Sequence, residues 1–395
     1  MRVLMVSDVY FPRVNGVSSS IETFARALPR HGVEVTLIAP DYGVAECERQ
    51  FEVIRVASRR VPRDPEDRLM AYRRVVALGD RLAARGFDLV HVDTPFVAHY
   101  AGVKLARRLN LPCVATYHTF FEEYLFHYAP FLPRGWLKAL ARRYSRTQCN
   151  ALDRVIVPST AMRDVLTGYG VVKPMQVLPT GIPLERFHGG DGTRFRARLD
   201  IAAQRPVALF VGRVAFEKNI DFLIDVARHV RRERPDFLLL IAGEGPALPA
   251  LQRRAADLRD SVRFIGYLDR DTELVDCYRA ADAFVFASRT ETQGLVLLEA
   301  MALGVPVVAL AEMGTRDVLA PESGAVTAPD DIEGFAVALL EVLNDPQRRE
   351  AMAAAGQTYA QTWRTDVMAE RMAALYRRAA GQRLVVTDAA PLSSE

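Results

Sequence analysis

The sequence predicts an α/β protein built from two doubly wound, parallel-sheet domains. Three observations carry that prediction. Short β-rich runs (RVLMVSD, EVTLIAP, FEVIRV, LVHVD, PCVATYH) alternate with helical patterns through the first half. The second half repeats the plan with VALFVGR, FLLLIAG, VRFIGYL, AFVFAS and PVVAL. The chain has 395 residues and is 50% hydrophobic, enough for two cores. Strands that are apolar throughout, rather than on alternate residues, are buried on both faces, and helices must cover them.

The helices follow from the spacing between those strands. SSIETFARALPRHG and RRVVALGDRLAARG carry helical periodicity in the first half. DFLIDVARHVRRERP, ELVDCYRAAD and LVLLEAMALG do so in the second. The first domain is expected over 1–187 and the second over 188–366. The polar stretch HGGDGTRFRARLDIAAQRP (188–206) joins them, with Gly189, Gly190 and Gly192 as breakers. Residues 382–395 lack periodicity and read as a poorly ordered tail. Ligands of doubly wound sheets bind at the carboxyl ends of strands, so two such domains facing one another would enclose a small-molecule cleft.

Composition narrows the function. There is no apolar run long enough for a membrane-spanning helix. MRVLMVSDVYF reads as a strand rather than a signal peptide. Cys47, Cys113, Cys149 and Cys277 are scattered without a CxxC pair, which fits a reduced, cytoplasmic protein lacking structural zinc. Residues 1–190 carry 26 Lys and Arg against 18 Asp and Glu; residues 191–395 carry 25 against 30. A basic first half suits an anionic partner, and equally suits arginine-rich surface helices.

The candidate site residues follow strands. After RVLMVSD, Asn15-Gly16-Val17 leads into a helix that starts with Ser18, Ser19 and Ser20. Gly16 lets backbone approach a ligand, and a helix N-terminus offers N–H groups to an anion; an ordinary capped turn explains the loop as well. After VALFVGR, Arg213 and Lys218 place two cations near a helix start, which suits a diphosphate. The loop has neither the dinucleotide fingerprint nor a P-loop. Glu291 follows AFVFAS, Gly294 turns the chain, and Glu299 falls near the first or second turn of LVLLEAMALG. Carboxylates at these positions can accept hydrogen bonds from sugar hydroxyls, or can serve as helix-start acids. His118 ends PCVATYH at a strand terminus; His127 follows in an aromatic segment, HTFFEEYLFHY.

Taken together, NGV at 15–17, TYHT at 116–119, VPST at 157–160, LPTGI at 178–182, GRVAFEKN at 212–219, AGEGP at 242–246, FIGYL at 264–268 and the E-x7-E segment with EAMALGVPVV resemble a retaining glycosyltransferase of family four, with the GT-B fold. The resemblance runs from Met1 to about Arg378. It implies a nucleotide-sugar donor, UDP-sugar or GDP-sugar with UDP favoured, bound mainly to the second domain, and an acceptor on the first. Arg213 and Lys218 would hold the diphosphate, with Gly16 closing on it. Glu299 would bind the ribose, with Gly294 and Leu295 also in the donor site. Glu291 and His118 would contact the transferred hexose, and backbone near Tyr267 the base. A helix over about 367–378 would cross back onto the first domain. No catalytic nucleophile is assigned. No cofactor, metal or nucleic-acid partner is implied, and the formal D-x-D at 269–271 reads as a helix cap.

Gln293 stands where most of the family has phenylalanine. That variant, with HTFFEEYLFHY, resembles the diacylglycerol glucosyltransferase branch. In PRGWLKALARRYSRTQC, Trp136, Leu140 and Tyr144 recur every four residues, with Leu137 and Ala141 beside them. Lys138, Arg142, Arg143 and Arg146 form a basic flank, so the helix is expected either to lie on an anionic membrane or to pack on its own sheet. The expectation is a peripheral enzyme on the inner face of the cell membrane that glycosylates a lipid. A transferase for soluble or polysaccharide acceptors, a non-catalytic sugar-nucleotide sensor and an epimerase are the alternatives.

Overall fold

A computed structural model describes residues 1–44, 50–61, 64–118, 133–270 and 272–387, with backbone alone at 64–67, 134 and 382–387. The chain forms two compact units, Met1–Gly181 with Thr365–Glu395, and Ile182–Arg364. The division therefore falls at Gly181/Ile182, and Ile182–Phe187 belongs to the second unit rather than the first. The reason is local: the Ile182 amide donates to the Trp363 carbonyl at 2.8 Å, and Ile182 bridges Arg364 in parallel.

In the first unit, β1 (Arg2–Val6), β2 (Glu34–Pro40), β3 (Glu52–Val56), β6 (Leu89–Val92), β7 (Cys113–Thr116), β8 (Arg154–Val157) and β9 (Met175–Val177) make one sheet, ordered β3-β2-β1-β6-β7-β8-β9. Every pairing in it is parallel. An antiparallel hairpin of β4 (Ser58–Val61) and β5 (Asp64–Met70) is added at its side. Helix α1 (Gly16–Ala27) follows β1, α2 (Val97–Leu109) follows β6, and α3 (Arg134–Asn150) precedes β8.

The second unit pairs β10 (Val207–Val211), β11 (Leu238–Ala242), β12 (Val262–Gly266), β13 (Ala283–Phe286), β14 (Val307–Ala309) and β15 (Ala325–Thr327) in the order β12-β11-β10-β13-β14-β15, again all parallel. Its core is the apolar runs themselves: all five residues of β11 and all four of β13 are buried. Helix α4 (Ile220–Glu233) buries Ile220, Leu223, Ile224, Ala227 and Val230, the stripe that a 3.6-residue period places on one face. Truncating Leu223 to alanine should cost about 2–5 kcal/mol. Helices α5 (Leu295–Ala302), α6 (Ile332–Asn344) and α7 (Pro346–Ala360) also belong to the unit, together with shorter helices.

Helix α8 (Thr365–Thr387) returns to the first unit, where Met368, Met372 and Tyr376 are buried. Asp366 Oδ1 lies 3.1 Å from His31 Nε2, and Arg377 donates to the His31 carbonyl. The helix runs past Gln382, where an irregular tail was expected; 388–395 lie outside the described residues. Among the described residues, no helix is long and apolar enough to cross a membrane.

Both sheets reverse strand order beside their first strand, between β1 and β6 and between β10 and β13. The loops leaving those strands diverge to opposite faces of the sheet and leave a crevice at their carboxyl ends. That topology fixes where each unit can hold a ligand.

Candidate active site

In the second unit, Gly212 follows β10, and Arg213 comes next with its side chain exposed. The loop is held by backbone contact with the next one. The Val214 amide donates to the Glu244 carbonyl at 2.9 Å, and a Cβ on Gly243 (φ +134°) would sit 1.9 Å from the Gly212 oxygen. Lys218 ends the turn Phe216–Lys218, just before α4. Its Nζ donates to Glu291 Oε2 at 2.5 Å, with both side chains about one-fifth exposed (21% and 22%). Glu291 lies on the loop after β13. That loop is fixed by the Gly314 amide, which donates to the Glu291 carbonyl at 2.8 Å; a Cβ on Gly314 would be 2.0 Å from the Thr292 oxygen.

Gly294, at φ +85°, turns the chain into α5. No side chain caps that helix, so its first N–H groups, starting at Leu295, face outward from the N-terminus. Glu299 lies in the second turn and is 5% exposed. Its carboxylate accepts from Arg270 Nη2 at 3.0 Å and from the Tyr278 hydroxyl at 2.9 Å. Burial, and then the neighbouring Glu299 carboxylate, push the Tyr278 phenol well above its usual range, so it stays a donor. Each glutamate thus holds one cation. Arg213 has no ion-pair partner among the described residues. This edge can receive an anion at Arg213 and hydroxyl groups at the two carboxylates.

In the first unit, Asn15 caps α1: its side chain accepts from the Ser18 amide at 2.9 Å, and Ser18 Oγ accepts from the Asn15 amide at 2.9 Å. A Cβ on the exposed Gly16 would meet nothing within 4 Å, so packing inside the unit does not require glycine there. His118 follows β7, and its Nε2 is 3.7 Å from Oδ1 of Asp93, the residue after β6. Asp93 is also 3.6 Å from His91 Nε2. His91 contacts the Tyr376 hydroxyl at 2.6 Å and Thr116 Oγ1 at 2.8 Å. Burial holds His91 below its usual pKa and keeps it neutral. Nearby, burial pushes the Asp8 carboxyl up to about 6, even though it accepts from the Ala98 amide and Thr94.

Residues 14–186 match the family model "Glycosyltransferase Family 4", and residues 191–359 match "Glycosyl transferases group 1". An alpha-monoglucosyldiacylglycerol synthase of Streptococcus pneumoniae is 34% identical over 78% of this chain and 71% of its own. The chain belongs to glycosyltransferase family 4. A GDP-mannose-dependent alpha-mannosyltransferase of Mycolicibacterium smegmatis is 30% identical over 97% of this chain and 99% of its own. In fold, this glycosyltransferase is similar to sucrose-phosphate synthase from Thermosynechococcus elongatus, with TM-score 0.76 and 23% identity over 96% of this chain and 99% of that one. Anabaena Alr3699/HepE, solved with UDP, has TM-score 0.74 and 18% identity over 96% and 100%. The two parallel-sheet units are the GT-B fold.

In the glycosyltransferase, Arg213, Lys218, Tyr267, Glu291, Gly294, Leu295 and Glu299 all fall on the second unit, at or near strand ends. Gly16 and His118 fall on the first. Lys218 and Glu291 meet directly, which the sequence does not reveal. Tyr267 is 61% exposed and follows Gly266 (φ +73°). Asp269 accepts from the Thr272 amide at 3.0 Å and its hydroxyl at 2.7 Å, so it acts as a local cap; Asp271 lies outside the described residues. The same is true of the segment 119–132, which includes His127. Among the described residues, no group of three His, Cys, Asp or Glu could hold a metal ion.

The basic helix of the glycosyltransferase divides its apolar residues between two faces. Leu137, Ala141 and Ser145 are buried in the first unit, whereas Trp136 is 80% exposed and Leu140 56%. Lys138, Arg142, Arg143 and Arg146 are exposed, with Arg142 over the Tyr169 ring at 5.5 Å. Leu137 and Ala141 are therefore core residues and not part of an outward apolar face. A cavity of about 420 Å³ opens beside this helix against α2, lined by Tyr72, Tyr100, Lys104, Arg107, Leu140 and Arg143 among others.

Three contributors escape the sequence reading: Arg270, Tyr278 and Asp93. The first two contact Glu299 from 29 and 21 residues away. For Asp93 the signal was available, since an acid closing the buried strand LVHV stands at a carboxyl end.

Proposed function

We propose that the protein is a retaining hexosyltransferase that moves a sugar from a nucleotide-diphosphate donor, with UDP favoured, to the hydroxyl of a lipid such as diacylglycerol. One observation carries the donor half: Arg213, Lys218, Glu291 and Glu299 all follow the adjacent strands β10 and β13, where the sheet reverses strand order, and Lys218 meets Glu291 directly. Glu299, held against Tyr278, accepts from the ribose hydroxyls. Arg213 and Lys218 hold the diphosphate, and Glu291, already beside Lys218, accepts from hexose hydroxyls.

Transfer breaks the bond between sugar C1 and the β-phosphate oxygen and forms one from C1 to the acceptor oxygen. The acceptor proton leaves with the nucleoside diphosphate. Negative charge grows on the leaving group, and the fixed cations stabilise it as it forms; removing one such group typically costs about 10²–10³ in rate. These side chains supply the needed charge without a metal ion.

The lipid half is supported by the relatedness to the S. pneumoniae synthase and by the first unit's surface. Trp136 and Leu140 stand out among exposed Lys138, Arg143 and Arg146, and such a face suits the boundary of an anionic membrane. Each cation near the surface adds about 1 kcal/mol. The enzyme is then peripheral, on the inner face of the cell membrane. A second reading, mannosyl transfer from GDP-mannose to another acceptor, is favoured by the M. smegmatis relative, which aligns over nearly the whole chain.

The deciding experiment measures nucleoside diphosphate release from a panel of UDP- and GDP-sugars, with and without diacylglycerol in anionic vesicles. Release from a UDP-hexose that depends on diacylglycerol supports the reading. Release only from GDP-mannose, or equal release without lipid, contradicts it. Co-sedimentation with the same vesicles should fall on Trp136→Ala with Arg143→Glu.

A further inference from the structure

We infer that Asp93 is a positioning residue for His118, holding the Nε2 edge of the imidazole inward so that the opposite edge faces substrate. This rests on the proposed glycosyl transfer and on the expectation, drawn from the sequence, that His118 contacts the transferred hexose. Asp93 is 4% exposed, and its Oδ2 is enclosed with no hydrogen-bond partner. His118 Nε2 is likewise enclosed and unpartnered, 3.7 Å from Asp93 Oδ1.

Buried polar atoms are almost always satisfied, because leaving them unpaired is costly. One such unpaired atom on each of two neighbouring side chains, at the carboxyl ends of β6 and β7, is therefore a feature that packing alone does not explain; the carboxylate oxygen nearer to His118 Nε2 is Oδ1, at 3.7 Å. The separation is an ion-pair distance, and a shift of less than 1 Å would bring the pair to charge-assisted hydrogen-bond range, about 2.7–2.9 Å. The side chain of His118 is 11% exposed. The ring is thus reachable although its Nε2 is enclosed, and in the proposed arrangement the reachable edge carries Nδ1. The backing is rigid: His91, also 3.6 Å from Asp93, is fixed between Tyr376 of α8 and Thr116 of β7. His91 is therefore committed elsewhere, which leaves His118 as the imidazole that Asp93 can orient.

The experiment is a double-mutant cycle on the full-length protein, using Asp93→Ala, Asp93→Asn, His118→Ala and the double variant Asp93→Ala/His118→Ala. Turnover of the donor identified above is measured, with near-ultraviolet circular dichroism to check folding. Asp93→Ala should lower kcat roughly 10- to 100-fold, because a small misplacement at a reacting centre has that scale of effect, and should change KM little. Asp93→Asn keeps an acceptor oxygen and should recover most of the loss. In the His118→Ala background, Asp93→Ala should cost nothing further. Equal losses in both backgrounds would overturn the inference while leaving the proposed function intact. Full activity in His118→Ala would also overturn the inference, whereas absence of donor turnover in the parent protein would instead contradict the proposed function.

Discussion

Replacing Glu299 by glutamine should separate nucleotide recognition from folding, because the structure assigns the carboxylate two different neighbours. Tyr278 is fully buried and needs an acceptor, which the glutamine carbonyl can still provide. The Arg270 side chain is 43% exposed, so losing its ionic partner should cost about 1 kcal/mol or less. Glu299→Gln should therefore melt within a few degrees of the parent. Glu299→Ala strands the Tyr278 hydroxyl, at about 1–3 kcal/mol, and opens a cavity besides. At roughly 2–4 °C per kcal/mol for a unit of this size, it should melt measurably lower. Binding should reverse that leniency. A hydrogen bond to a charged group is worth about 1.5–3 kcal/mol, so the Kd for UDP should rise at least about tenfold in Glu299→Gln. Isothermal titration with UDP and with its 2′,3′-dideoxy analogue checks this. If Glu299→Gln binds UDP as tightly as the parent, or if the analogue suffers the same further penalty, ribose recognition by Glu299 is wrong.

Lys218→Ala should lower kcat/KM about 10²–10³-fold, read by nucleoside diphosphate release, since it removes a cation beside the leaving group and leaves Glu291 uncompensated. Turnover should survive chelation by EDTA; loss that added magnesium restores would contradict the charge assignment to Arg213 and Lys218. Asp8 sets a pH signature. Its folded pKa, about 6, is above the ordinary 3.8, so the folded state binds the extra proton between those values and loses stability as pH rises through that window. The loss amounts to about 3 kcal/mol at 1.36 kcal/mol per unit. His99, pushed down to about 4 by burial, slopes oppositely, gaining stability as pH rises toward 6.5. Denaturant unfolding of Asp8→Asn against the parent isolates the first slope: the variant should gain on the parent from pH 4 to 6, and parallel curves would refute the reasoning.

Ten of the thirteen strands in the two parallel sheets were legible as β-rich runs that stand out from what surrounds them, whereas β8, β9 and β15 were not picked out, the last two being only three residues long. The β4–β5 hairpin was not, since SRRVPRDPEDRLM has neither alternation nor an apolar run to mark it. Arg213, Lys218 and Glu291 could be picked out because polar groups stand out after apolar strands, and Glu299 because it is a carboxylate inside an otherwise apolar helix. Their partners could not: nothing local ties Arg270 or Tyr278 to Glu299, and only the fold brings them together. The basic helix shows the limit of a four-residue spacing. Of Trp136, Leu140 and Tyr144, the first two are exposed together but Tyr144 is half-buried and donates to the Pro95 carbonyl at 2.9 Å, while Leu137 and Ala141, one position on, rotate into the core.

The most direct test of the electrostatic account is the affinity for UDP of the parent and of Arg213→Ala/Lys218→Ala, measured by titration calorimetry at several salt concentrations. The account predicts a Kd at least about a hundredfold weaker in the double variant and a shallower salt dependence, because two cations facing the diphosphate have gone. An unchanged Kd with an unchanged salt slope would contradict it.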